Sequence, residues 1–149
     1  MISKILVPTD GSKAAQKAAR YAVDLAIQLK ASIIAVSVID NRSFIARTVP
    51  SEETARHAIE PIEDYLREAA EGYVREIKKI CNKKGVRSKI VIKIGHPVEV
   101  ITKEAERSKG TLIVMGSHGR SALAAVFLGS ISYGVIHKDT KVPVLVVRK

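Results

Sequence analysis

The sequence predicts a doubly wound α/β fold, a five-stranded parallel sheet with helices on both faces. Two observations carry this. Five short runs rich in Ile, Val and Leu alternate with segments of helical period along the chain. Most of those runs also lack the polar alternation of a half-exposed sheet, and such strands belong in a parallel sheet covered on both sides.

Each element follows from its residues. Ile2 to Val7 is a β-branched apolar run closed by Pro8-Thr9-Asp10-Gly11, a buried strand entering a turn. From Ser12 onward, Ala15, Ala18, Ala19, Ala22, Val23, Ala26 and Ile27 recur at three- and four-residue spacing, which predicts an amphipathic helix ending near Lys30. Ile33 to Ile39 is the second strand, and Asn41 to Pro50, without a period, reads as a loop. Between Ser51 and Lys84, Ala55, Ile59, Ile62, Leu66, Ala69, Tyr73, Ile77 and Ile80 form one stripe, predicting one long helix or two. Pro61 either kinks a helix already begun or stands in the first turn of a second one. The stripe is that of a crossover helix on a sheet rather than of a coiled coil, because loop and strand signals bound it closely. Gly85 stops it. Arg87 to Ile94 then reads as a strand, Val98 to Arg107 as a helix, Thr111 to Met115 as the fourth strand, Ser130 to Lys138 as a helix and Val142 to Val147 as the last strand.

Right-handed crossovers wind these units into one sheet. If the winding reverses after the third strand, the order is 3-2-1-4-5, and the ends of strands one and four adjoin at a switch point where ligands of such sheets bind. Asp10 and Gly116 then face one crevice.

Composition narrows the function classes. At 149 residues the chain is the size of one domain, expected to span 1–149, and 46% hydrophobic with 27% charged residues argues against disorder. Cys81 is the only cysteine, so no intrachain disulfide forms. The apolar runs fall short of the about 20 residues of a membrane span. A cytoplasmic protein without membrane contact is expected. The 25 basic against 15 acidic residues give +10. Nucleic-acid binding wants cations clustered on one face and aromatics to stack on bases. Neither is evident in a chain with 4% aromatics, so a solvated basic face and no specific nucleic-acid partner are expected.

The segment with most chemistry is Met115-Gly116-Ser117-His118-Gly119-Arg120, followed by Gly129-Ser130-Ile131-Ser132. Its glycines admit close backbone approach, and Ser130 opens a helix whose free N–H groups and dipole favour an anion. Two readings follow: a phosphate cradle, or a strand-to-helix loop with Ser130 as an ordinary N-cap. No Gly-x4-Gly-Lys-[Ser/Thr] loop or Gly-x-Gly-x-x-Gly fingerprint is present. The histidines 57, 96, 118 and 137 have no paired metal spacing, so no metal-ligand set is expected.

The pattern Gly116-x2-Gly119-x9-Gly129-Ser130, with Leu112 to Met115 before it and Pro143 to Val147 after it, resembles the ATP-binding branch of the universal stress protein family. Ile5 to Ser12 and Val38-Ile39-Asp40 match as well, so the resemblance covers nearly the whole chain. It implies a Rossmann-like domain of the adenine nucleotide alpha hydrolase-like type in the order 3-2-1-4-5, an adenine nucleotide in the crevice, and a homodimer. By the same resemblance the backbone of Val38 meets the adenine, and Pro8, Thr9 and Asp10 stand beside base and ribose. Met115, Gly116, Ser117, His118, Gly119, Arg120, Ser121 and Ala122, with Gly129, Ser130, Ile131 and Ser132, surround ribose and phosphates. Asp10 then accepts a ribose hydroxyl or helps hold hydrated Mg²⁺ through water, with helix capping as its structural alternative.

Thr111 stands where the family often has an acid, Ala124 and Ala125 where many members carry a charge, and Gly134 is expected to weaken its helix by up to about 1 kcal/mol. The function expected is an ATP-binding stress or regulatory protein whose nucleotide occupancy modulates a homodimer paired through Val142 to Val147. An unidentified protein partner would read the change. Without an activated nucleophile no catalytic residue is assigned, and the chain is at most a slow ATPase. The alternative is a nucleotide-independent interaction module of the same fold.

Overall fold

The computed structural model describes residues 1–40, 52–119, 128–138 and 140–148, with the backbone alone for residues 52–61. The elements are β1 (Lys4–Pro8), α1 (Lys13–Leu29), β2 (Ser32–Ile39), α2 (Glu52–Lys83), β3 (Ser88–Ile94), α3 (Pro97–Arg107), β4 (Leu112–Gly116), α4 (Ser130–His137) and β5 (Val144–Val147). All four strand pairings are parallel and the order is β3-β2-β1-β4-β5, as the sequence predicts. The loop expected at Asn41 to Pro50 lies outside the described residues.

Strand alternation divides the core into two layers. Ile5, Val7, Ile33, Ala35, Leu112 and Val114 face α1 and α2. Leu6, Ile34, Val36, Ile113 and Met115 point the other way, onto Ile101 and Ala105 of α3 and Val135 of α4. Helix α1 starts on Ser12, whose hydroxyl accepts from the Ala15 N–H at 3.1 Å, and ends where Lys30 turns left-handed at φ 55°.

Helix α2 is a single helix that runs through Pro61, which decides between the one helix and two that the sequence left open. Among its described side chains Ala70, Val74, Ile77 and Cys81 are buried, so over this part the buried face is rotated about one residue from the expected stripe and shares Ile77 with it. The small residues Ala70 and Cys81 let the helix approach the sheet, whereas the larger Leu66 and Tyr73 are left half-buried at the flank. Burial pushes the Cys81 thiol above its ordinary pKa, so it stays protonated and packs as a small apolar group. After the helix, Gly85 takes φ +71°.

Thr111 holds two strands together. Its hydroxyl accepts from the N–H groups of Ser3 and Lys4, at 2.8 and 3.0 Å, and donates to the Lys4 carbonyl. It thereby ties the start of β4 to the start of β1. Strand β5 stands at one edge of the sheet with its four residues half-buried.

Candidate functional site at the strand switch point

The crevice forms because β1 and β4 part company. They pair only through Ile5 with Leu112 and Leu6 with Ile113, while β1 remains in register with β2 as far as Pro8 and Val36. Beyond Leu6 the two strands diverge, and a crevice opens between their carboxyl ends. Asp10 and Gly116 both line it, as the sequence predicts.

One wall is the turn after β1. The Thr9 N–H donates to the Val36 carbonyl at 2.8 Å and the Ser37 hydroxyl to the Thr9 carbonyl at 3.0 Å, so Thr9 is held by β2 although it has left the strand. The Thr9 hydroxyl accepts from the Gly11 N–H and Asp10 Oδ1 from the Ser12 N–H. Gly11, at φ +76°, makes the turn, and the ring of Tyr73 from α2 fills the space beside its Cα. One oxygen of Asp10 thus fastens the entry to α1. The other faces Gly119 across the crevice, 2.8 Å from where a Cβ there would lie. The helix-capping role expected of Asp10 is carried by Oδ1.

The opposite wall is the segment after β4. Gly116 ends the strand against the first turn of α1, where a Cβ would lie 2.9 Å from the Ala14 backbone. The Gly129 N–H donates to the Ser117 carbonyl at 2.6 Å, folding the start of α4 back onto Ser117 and His118. Ser130 is therefore not the N-cap of α4. Gly129 is, and it supplies no side-chain hydrogen bond, so the first N–H groups of the helix have no capping hydroxyl among the described residues. Replacing Gly129 with Val is expected from the sequence to put a side chain where phosphates would lie. A Cβ there would also lie 3.3 Å from His118 Cα and the Ser117 carbonyl, so the loop itself must give as well.

Of the expected residues, Pro8, Thr9, Asp10, Val38, Met115, Gly116, His118, Gly119, Ile131 and Ser132 line the crevice. Ser117 stands behind it with its hydroxyl 2.8 Å from His118 Nδ1. Ser130 opens onto an adjoining recess with Asp40, His96 and Glu99. Ser132 differs from expectation in one respect: its hydroxyl donates to the Gly116 carbonyl and is buried, which leaves only its acceptor side for a ligand. Arg120, Ser121 and Ala122 lie outside the described residues, as do Ala124 and Ala125.

The sequence reading missed Pro97 and Ile101, which close the crevice from α3. The signal for them was topological, since Pro97 starts the helix after β3 at the same end of the sheet. His96 caps that helix, its Nδ1 accepting from the Val98 N–H at 3.2 Å. No group of three metal-ligating side chains occurs among the described residues. None of the described helices is long and apolar enough to cross a membrane.

The universal stress protein family model matches residues 1–148. Universal stress protein MJ0531 of Methanocaldococcus jannaschii is 34% identical over 149 residues, covering 100% of this chain and 84% of its own. The solved structure of MJ0577, from the same organism, is 33% identical with a TM-score of 0.86, covering 100% of this chain and 97% of that one. A universal stress protein family member from Arabidopsis thaliana, solved with AMP bound, shares the fold at 17% identity and a TM-score of 0.64, covering 99% of this chain and 92% of that one.

Proposed function

The chain belongs to the universal stress protein family, and on that premise we propose that it is an ATP-binding regulatory protein of the stress response. The observation that carries the reading is the convergence of a helix N-terminus without a side-chain cap among the described residues, reaching in through Ile131 and Ser132, with the turn Pro8 to Asp10 on one crevice. Free N–H groups at a helix start attract phosphate oxygens, and the helix dipole adds to that attraction. In this reading the half-buried Val38 backbone reads the adenine edge, and Asp10 Oδ2 accepts a ribose hydroxyl. Ser130 and the segment from Gly116 to Ala122 receive the phosphates. Asp10 alone is too few donors for a dedicated cage, so Mg²⁺ would be held by phosphate oxygens and water, with Asp10 at its outer side.

The chemistry at the γ-phosphate is slow. His118 shares a hydrogen bond with Ser117 and lines the crevice, but no activated nucleophile accompanies it among the described residues. Turnover should fall well below the ordinary enzyme range of about 1 to 10³ s⁻¹. Nucleotide occupancy would act instead through a homodimer paired along the segment Val142 to Val147, whose strand β5 has β4 as its only neighbour among the described strands.

A melting experiment with ATP, AMP and GTP, with and without Mg²⁺, tests the binding. ATP at 100 times its dissociation constant should stabilise the fold by about 2.7 kcal/mol. If no adenine nucleotide moves the midpoint, the chain is a nucleotide-independent interaction module. Light scattering on the full chain and on one ending at Lys141 tests the dimer: a monomeric full chain, or a shortened one that stays folded and dimeric, excludes pairing through β5.

A further inference from the structure

At the end of the sheet opposite the crevice lies an open groove that carries five cations, Lys4, Arg87, Lys89, Arg107 and Lys109. Strand period brings them together. Leu6 and Val91 belong to the core layer under α3, so Lys4, two residues before Leu6, and Arg87 and Lys89, four and two before Val91, project to that same face. Helix α3 ends at Arg107 before it covers this part of the sheet, and Lys109 follows directly, its φ of 56° turning the chain toward β4.

Some of this charge is used locally. Lys4 Nζ donates to the Ser108 carbonyl at 3.2 Å, and Arg107 pairs at 3.1 Å with Glu104, which is buried. Both complement the negative end of α3. That account does not extend to Arg87 and Lys89, which stand on β3 and its entry. Arg87, Lys89 and Lys109 make no ion pair among the described residues, and no carboxylate lines the groove among them.

We propose that this groove binds the phosphodiester backbone of a single-stranded nucleic acid without reading its sequence. A concave cationic track suits the backbone of a single strand, and with no aromatic lining among the described residues the binding rests on phosphate contacts alone. A peptide finds less here. Ile33 and Ile34, the apolar residues of the lining, are 1% and 5% exposed and offer no anchor. A bilayer is flat and cannot follow charges set along the walls of a groove. The proposal does not depend on the nucleotide reading, because groove and crevice lie at opposite ends of the strands.

Fluorescence anisotropy of a labelled oligothymidylate with the full chain tests it. Neutralising about four phosphates of a single strand predicts a slope of about −3 in log K against log salt between about 50 and 200 mM. The double variant Arg87→Glu with Lys89→Glu should lose at least about tenfold in affinity at low salt and flatten the slope by about 1.4. Lys17→Glu with Lys78→Glu makes the same change of net charge on exposed helix positions and should leave binding within about twofold. Melting curves establish that the variants fold, and Lys89→Gln with Lys109→Gln replaces the first pair if it does not. Equal loss in both pairs would reduce the effect to net charge. Displacement of the oligonucleotide by ATP would place it in the crevice. Equal affinity for poly-glutamate, or binding to phosphatidylserine vesicles in place of the oligonucleotide, would assign the groove to another partner. Each of these results overturns the proposal.

Discussion

The Ser132 hydroxyl donates a 2.7 Å hydrogen bond to the Gly116 carbonyl, joining the first turn of α4 to the last residue of β4. The bond is buried and crosses the base of the crevice. Ser132→Ala should therefore destabilise the protein without any nucleotide by about 1 kcal/mol, the usual net worth of such a bond. The denaturant midpoint at unchanged slope measures it. A serine that served only to hold ligand would leave that midpoint where it is.

Gly11 and Tyr73 form a second coupled pair. Gly11→Ala meets two obstacles, a left-handed backbone at φ +76° and the Tyr73 ring in the space its Cβ needs. The backbone alone costs roughly 1–2 kcal/mol, and overpacking typically adds about 1–3 kcal/mol, so about 2–5 kcal/mol is expected. In a Tyr73→Ala background the same substitution should retain only the backbone part. A double-mutant cycle measures the difference, and strictly additive effects would show that the ring is not the obstacle.

Gly134 reverses the expectation from helix propensity. Propensity says Gly134→Ala should stabilise α4 by up to about 1 kcal/mol. A Cβ there would lie 2.6 Å from Val98 Cγ2 of α3, so the structure predicts net destabilisation of about 1 kcal/mol. Against Val98→Ala the sign should turn favourable. Thermal midpoints of the four proteins decide between the two effects.

The Glu99 to Lys138 pair gives a pH dependence. The hydrogen bond from Lys138, then its charge, hold the Glu99 carboxyl below the ordinary carboxylate range. A folded pKa below the unfolded one means the pair's contribution is present above the ordinary carboxylate pKa and is lost as pH falls through the depressed value. Both side chains are exposed, so the contribution is small and screened by salt. Lys138→Gln should lower the denaturant midpoint slightly at neutral pH and low salt. The difference from the parent should vanish in acid and at high salt.

What the sequence by itself determined is whatever depends on contiguous residues. The apolar run Leu112 to Met115 reads as a buried strand because its neighbours in the chain leave no polar face. The alanines from Ala15 to Ala26 read as a helix because their spacing matches its turn. Alternation and handedness give a doubly wound parallel sheet, and the family resemblance adds the order 3-2-1-4-5, which puts Asp10 and Gly116 on one crevice. The glycine motif was visible too, because its spacing is local.

Only the tertiary structure decided which surfaces meet. Gly116, Gly129 and Gly134 abut Ala14, His118 and Val98, residues brought close by strand register and helix packing, so ligand approach is not the only reason for small residues there. Pro97 and Ile101 join the crevice for the same reason. Cations dispersed along the sequence, at Lys4, Arg87, Lys89, Arg107 and Lys109, converge on one groove because parallel strands start at the same end of the sheet. Periodicity is a property of neighbours in sequence, whereas a charged groove is a property of neighbours in space, and only the register of distant segments converts one into the other.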